Sequence, residues 1–513
     1  MQEAENALTC LSSSDYELSK ISTTACLTLL WQFGDRQYHA KRWLEAADWF
    51  LIGGLVPHPA NEAATYYVAL LIAVRQGLED EAIRAAEDMV NASNFNRKML
   101  LLATSLANES GMKTLLLSVL EALLKSLQTR ESLEVDLEAI TLVRCIIRLV
   151  LKLLVEPASN MAVLVPVLIG HFSTAKSLVE AMGAKKNAAL VAKDISWLWR
   201  TAYNCAVQGC SQWENSEEKV CDLFDIARQL LEVYSDSVLA DADQEVYTHI
   251  IYASFAAVAG RVFAIRHVVS NDVTEQATRL RTIYGDITSC KKRIQGVIDN
   301  EKLLDNKDLI QTASFVHVLR VFETEIACQL KDWTRALDVV QELIRSDALA
   351  VNTFEAIADI LWVEKDCPTE VLFTALEAIL HASLDRATLS VEKFSRWMRA
   401  ICTILLSRNS AADRAKAIRY VEQAVNVLED QSTETDSEET YPLDERQWLL
   451  GTSYNTGVEC LHASLLDEAK RWFEASTTVC RFVPDGENRA EKISETYAQL
   501  LARYSSSMAP PNS

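Results

Sequence analysis

The chain has 513 residues, 49% of them apolar and 24% charged, with a formal net charge of -21. That length exceeds one ordinary hydrophobic core and calls for several domains or one elongated array. The acidic balance argues against gripping DNA or RNA over a broad face, and only 14 Gly and 9 Pro argue against an all-β fold rich in turns.

The twelve cysteines are scattered through helical patterns and none forms C-x2-C, the usage of a reduced compartment. Residues 1–18 carry acidic side chains and no apolar run of the signal-peptide kind. The longest apolar runs are interrupted by Arg148, Lys152 and Pro166, so no bilayer span is expected. These features lead us to expect a soluble intracellular protein.

In chain order, residues 1–15 are expected to be disordered. A first helix pair is expected at 22–40 and 43–55, stopped by Pro57 and Pro59. The pair contains G-D-R-Q-Y-H-A-K-R-W-L-E-A-A-D-W-F, from Gly34 to Phe50. A second pair fits 63–75 and 79–90 around Gly77, and a third fits 96–108 and 112–127 around Gly111. Residues 133–154 form a nearly continuous apolar stretch at helical period, expected as a buried helix. A further helix is expected over 158–182, interrupted at Pro166 and ended by Gly183.

Trp197 opens the stretch W-L-W-R-T-A-Y-N-C-A-V, and Trp448 opens W-L-L-G-T-S-Y-N-T-G-V. Both fit W-L-x2-T-x-Y-N-x2-V with no gap, so one element has been duplicated. Helical patterns continue from 216 to 428, and Asp332, Trp333 and Ala336 resemble the turn and second helix of the founding motif. Lys291, Lys292 and Arg293 form a small basic patch, read as a solvated helix face. Residues 430–443 lie in an acidic stretch that buries little and is expected to be a mobile linker, possible ground for phosphorylation. A last repeat pair follows within 444–504, and the tail at 505–513 is expected to be disordered.

The founding motif returns in that last pair as G-V-E-C-L-H-A-S-L-L-D-E-A-K-R-W-F, from Gly457 to Phe473. Both copies fit G-x10-E-A-x2-W-F. This spacing resembles the tetratricopeptide pattern, in which a Gly on one helix meets an Ala on the next and an aromatic follows. Gly34, Ala46 and Phe50 take those places, as do Gly457, Ala469 and Phe473. Small residues allow a close crossing, and the aromatic plugs the gap to the next helix. Trp49 and Trp472 are therefore expected at buried inter-helix contacts. The fold expected is all-α, with tetratricopeptide-like hairpins stacked over 16–429 and 444–504 into a right-handed superhelix.

Motifs of nucleotide, zinc-hydrolase and serine-hydrolase chemistry are missing: no G-x4-G-K-[ST], G-x-G-x2-G, H-E-x2-H or G-x-S-x-G occurs. The eight histidines do not cluster at metal spacing. No catalysis, cofactor or metal is expected, and the functional sites should be grooves that hold helices or peptides of other proteins.

The stretch from Leu29 to Phe50 resembles the entry to the sporulation-specific meiotic repeat family, the Zip-four type scaffolds of fungi, and the segments at Trp197 and Trp448 look like later parts of it. The resemblance implies a nuclear, meiosis-specific scaffold that links crossover recombination to synaptonemal complex assembly. Its implied partners are proteins of the crossover and synapsis machinery, with no direct nucleic acid, membrane or small-molecule substrate. It also implies a partner-binding aromatic–asparagine pair, matched by Tyr454 and Asn455. The pair recurs at Tyr203 and Asn204, so a role in repeat packing stays open beside a role in binding. Family members are considerably longer, which leaves open an N-terminal part of the superhelix missing here. A general repeat adaptor and a regulatory subunit of an enzyme are the alternative readings.

Overall fold

The structure is a computed structural model that describes residues 20–40, 42, 49, 63–127, 133–157, 159–237, 244–267, 272–300, 305–346, 351–385, 390–433, 440–484 and 486–508. Among the described residues it contains α-helices, one short 3-10 turn and no strand. The helices are α1 (Lys20–His39), α2 (Ala63–Gln76), α3 (Glu79–Asn91), α4 (Arg97–Ser110), α5 (Lys113–Leu127), α6 (Leu133–Leu154), α7 (Met161–Ala184), α8 (Ala192–Gln212), α9 (Glu217–Ser237) and α10 (Gln244–His267). They continue as α11 (Val273–Asp299), α12 (Asn306–Gln329), α13 (Trp333–Arg345), α14 (Val351–Val363), α15 (Thr369–Asp385), α16 (Val391–Arg408), α17 (Ala411–Thr433), α18 (Leu443–His462), α19 (Leu466–Cys480) and α20 (Glu487–Met508).

The local signals explain where these helices stop. Gly77 and Gly111 stand between paired helices with φ of 77° and 72°, a conformation that a Cβ disfavours. Around Gly77, the Leu78 N–H donates to the Ala73 carbonyl at 2.9 Å and closes the helix end. Asp332 caps α13 by accepting from the Arg335 N–H at 3.1 Å, and Ala336, Val339, Val340 and Leu343 form its buried stripe. That i, i+3, i+4, i+7 stripe turns α13 toward its neighbours.

The chain divides into two compact units, Met1–Val268 with Gly296–Asp308, and Val269–Gln295 with Leu309–Ser513. In the first, α2 packs on α3 and α4, α3 on α5, α6 on α7 and α8, α7 on α9, and α9 on α8 and α10. In the second, α16 packs on α17 and α18, α17 on α19, and α19 on α18 and α20. Helices α2, α3, α6, α7, α16 and α17 thus each meet their hairpin partner and the equivalent helix of the next hairpin, the contact pattern of tetratricopeptide-like repeats. Each unit has its own core, around Ile146, Phe172 and Leu198 in the first and around Phe354, Met398 and Trp472 in the second.

Several expectations change. α7 continues through Pro166, which is exposed, and ends at Ala184, one residue past Gly183. By length and composition, α7 and the 245–267 part of α10 are apolar enough to cross a bilayer, contrary to the reading of interrupted runs. Both stand in the hairpin stack, where Phe172 and Val179 of α7 and Ala253 and Ala257 of α10 are buried. The acidic stretch is shorter than expected: α17 runs to Thr433, and Tyr441 is 2% exposed, so 434–439 is the part that lies outside the described residues. The backbone helix of α20 reaches Met508. Residues 1–15 and 509–513 also lie outside the described residues.

Lys291 is not a solvated cation either. Its Nζ lies 2.6 Å from Glu323 Oε2 and 2.8 Å from Glu342 Oε2, and Glu323 is fully buried. Arg335 reaches Glu323 with Nε at 2.9 Å and Glu342 at 3.2 Å. Four charges from α11, α12 and α13 are compensated in one knot, which a buried carboxylate requires.

Candidate protein-binding site

In the C-terminal copy of the founding motif, the expected crossing is present. Gly457 on α18 faces α19, where a Cβ would meet the Phe473 ring at 3.2 Å and the Trp472 Cβ at 3.3 Å. Ala469, Trp472 and Phe473 are 0% exposed. In the N-terminal copy, Gly34 is buried, while Ala46 and Phe50 lie outside the described residues. Trp49 is half-buried and stacks on Phe33 at 5.2 Å, so it is less buried than expected.

The duplicated W-L-x2-T-x-Y-N element lies on α8 and α18, the first helices of their hairpins. Its residues face the same way in both copies. Leu198 and Leu449 are buried. Trp197 lies under the Arg148 and Arg144 guanidinium groups of α6, at 4.8 and 5.5 Å, and Trp448 lies under Arg399 of α16 at 5.5 Å. The tryptophan therefore packs backward, onto the first helix of the preceding hairpin. The tyrosine packs on its own hairpin: Tyr203 meets Phe224 edge-on at 5.6 Å and 76°, and Tyr454 meets Phe473 at 5.9 Å and 78°. The tyrosine also reaches forward, Tyr203 to His249 at 5.2 Å and Tyr454 through its hydroxyl to Thr496 Oγ1 at 3.4 Å. Burial, then the neighbouring Tyr252, push the Tyr203 phenol up, which keeps it a neutral hydroxyl.

Sequence reasoning missed one member of the element. Asp194 and Glu445 each stand three residues before the tryptophan, and each pairs with the arginine that covers it: Asp194 with Arg144, and Glu445 with Arg399 at 3.2 Å. A carboxylate and an indole at i and i+3 share one helix face, so one guanidinium can serve both. The repeated acid was visible at that spacing in both copies, but its arginine lies on another helix.

The asparagine is the exposed member. Asn204 and Asn455 are both exposed, and no side-chain hydrogen bond to either is found among the described residues. The aromatic–asparagine pair thus divides. Tyr454 is half-buried and holds α18 against α19 and α20, whereas Asn455 presents an amide, with two donor hydrogens and one acceptor oxygen, to solvent.

Stacked helical hairpins with an internally repeated face define a tetratricopeptide-like repeat protein. Residues 1–55 match the model of the family described as "Meiosis protein SPO22/ZIP4 like". Among solved structures, the chain is similar to a circular tandem repeat protein with a novel repeat topology, at 13% identity over 94% of this chain and 97% of that one, with a TM-score of 0.24. It is similar to yeast Tom70 at 12% identity over 93% and 96%, TM-score 0.20, and to the P58(IPK) TPR domain at 12% over 92% and 98%, TM-score 0.17. These TM-scores are too low to relate whole-chain shapes.

Proposed function

We propose that the chain is a meiosis-specific chromosome scaffold that links crossover recombination to synaptonemal complex assembly by docking several proteins along its helices. The observation that carries this reading is the match of residues 1–55 to the meiosis family. The repeated helical face supports it, since such faces bind protein segments. In this reading the protein works in the nucleus on meiotic chromosomes, takes no catalytic step, and uses partners from the crossover and synapsis machinery. Asn455 supplies two directional hydrogen bonds to one of them, beside the exposed edge of Tyr454. The net charge of -21 leaves contact with DNA to those partners.

The test is to tag the endogenous protein and follow it through vegetative growth and meiosis. Expression confined to meiosis, foci on paired chromosomes and fewer crossovers on deletion are expected. Constitutive expression in a cytoplasmic assembly would replace this reading with a general repeat adaptor and leave the fold unchanged.

A further inference from the structure

Within the first unit, the exposed stripes of α6, α8 and α10 differ from the rest of an acidic protein. Arg144 is neutralised by Asp194, but Arg148, Lys152 and Arg200 are exposed and have no carboxylate partner among the described residues. Arg148 rests on Trp197, and Arg200 rests on Trp199 at 4.5 Å while donating to Ser196 Oγ. The two arginines are therefore held on aromatic faces with free guanidinium edges. Lys152 follows Arg148 by one turn of α6, and Asn204 follows Arg200 by one turn of α8.

Further along α8, a cleft of about 740 Å³ opens between α8, α9 and α10. Gly209 and Gly260 let α8 and α10 settle closely on α9: a Cβ at Gly209 would meet Val220 at 2.9 Å, and one at Gly260 would meet the Cys221 sulfur at 2.5 Å. Ala256, Val220 and Phe224 add apolar lining, and Phe263 stands at the mouth, 49% exposed. The α10 stripe reads Glu245, His249, Tyr252, Ala256, Gly260, Phe263 toward that mouth. Glu217 and Glu218 line the cleft at the first turn of α9.

We infer that this face docks an acidic segment of a partner protein, with carboxylates on Arg148, Lys152 and Arg200 and one bulky apolar side chain in the cleft. Charge complementarity fixes the occupant and the end of the face that its acidic part takes. A chain of net charge -21 repels acidic segments in general, so three unpaired cations on one face are a specific attraction. The cleft end carries Glu217 and Glu218 with Lys219 between apolar walls, so it offers carboxylates no net attraction, and the acidic part lies toward Arg200 with the apolar anchor beyond it. Arg200 and Gly209 are nine residues apart on one helix, which is about 13 Å at ~1.5 Å per residue. An extended occupant covers that distance with about four residues at ~3.3 Å each. The inference deepens the scaffold reading by naming the chemistry of one partner segment, and it depends on the repeat face alone, not on meiotic timing.

The experiment is a selection of a random dodecapeptide phage library on the purified full chain, followed by fluorescence anisotropy with the most enriched peptide. Expected are peptides in which Asp or Glu precedes or follows Phe, Leu or Trp by about four residues, with saturable binding that weakens as salt rises. Arg148→Glu with Arg200→Glu should lower affinity at least ~10-fold, the loss of one to two charge pairs. Lys152→Glu, at an exposed site with no ion pair among the described residues, gives a fold-neutral check, and Phe263→Ser tests the anchor with charge unchanged. Enrichment without acidic residues, or equal affinity in the charge-reversed variants with melting temperature retained, would overturn the inference. So would a single-stranded oligothymidylate that competes as well as the selected peptide, since that would make the face a general anion site. Failure here would leave the meiotic localisation test untouched, and failure there would leave this one standing.

Discussion

Gly457 shows how much a single position can carry. A Cβ there would meet the Phe473 ring at 3.2 Å, so the bare glycine lets α18 and α19 cross closely, with Trp472 sealed beside it. Trp472→Ala should cost about 3–5 kcal/mol, as large-to-small core changes do. Trp49→Ala should cost less, about 1–2 kcal/mol, because its ring is partly exposed and has only area to lose. Denaturant unfolding of both variants measures the difference, and equal losses would contradict the unequal burial. Asn455→Ala should leave stability within about 0.5 kcal/mol, the range of ordinary surface changes, while reducing recovery of one partner from meiotic extract. Recovery of every partner at wild-type level would remove Asn455 from the proposed site. The Gly, Ala and aromatic spacing was legible in sequence because close packing tolerates few residue types. The division of labour between Tyr454 and Asn455 was not, since neighbouring helix positions point to different faces and only the packed partners identify which is buried.

At the scale of the element, the ion knot joining α11, α12 and α13 makes stability depend on pH. Burial alone would raise the Glu342 carboxyl, but the hydrogen bond from Lys291 and the charges of Lys291, Arg335 and Arg320 hold it below its usual value. A carboxylate whose folded-state pKa is depressed contributes stability above its unfolded pKa, and that contribution fades as pH falls through the lowered value. Glu342→Gln should therefore melt below wild type at pH 7, and the gap should close as pH drops below about 4. A gap unchanged across that range would show that Glu342 acts by packing alone. The helices themselves were legible from apolar periodicity and turn residues, as in α6, where 133–154 was expected and Leu133–Leu154 is found. Pro166 was misread as a break because proline opposes a helix interior. Here its ring is on the exposed side of α7, and the helix continues through it.

For the whole molecule, two compact units with separate cores should unfold as two cooperative transitions. Phe172, fully buried, belongs to the first core, and Trp472 to the second. In calorimetry, Phe172→Ala should lower one transition and Trp472→Ala the other. A single transition lowered alike by both would show one cooperative array. The division was not legible in the sequence, where the helical pattern runs on through 244–346 without a change in composition. Which successive helices share a core depends on side chains that meet from different hairpins.

The sequence by itself determined the all-α class, the hairpin spacing and the duplicated element, because these depend on local periodicity and on steric demands that repeat at fixed intervals. Tertiary structure alone decided that Arg144 and Arg399 cover Trp197 and Trp448 from the preceding hairpin, that Lys291 is tied to a buried carboxylate, and that Arg148 and Arg200 have no carboxylate partner among the described residues. Charges act through space at distances of a few ångströms, and positions about fifty residues apart come that close only when the hairpins stack.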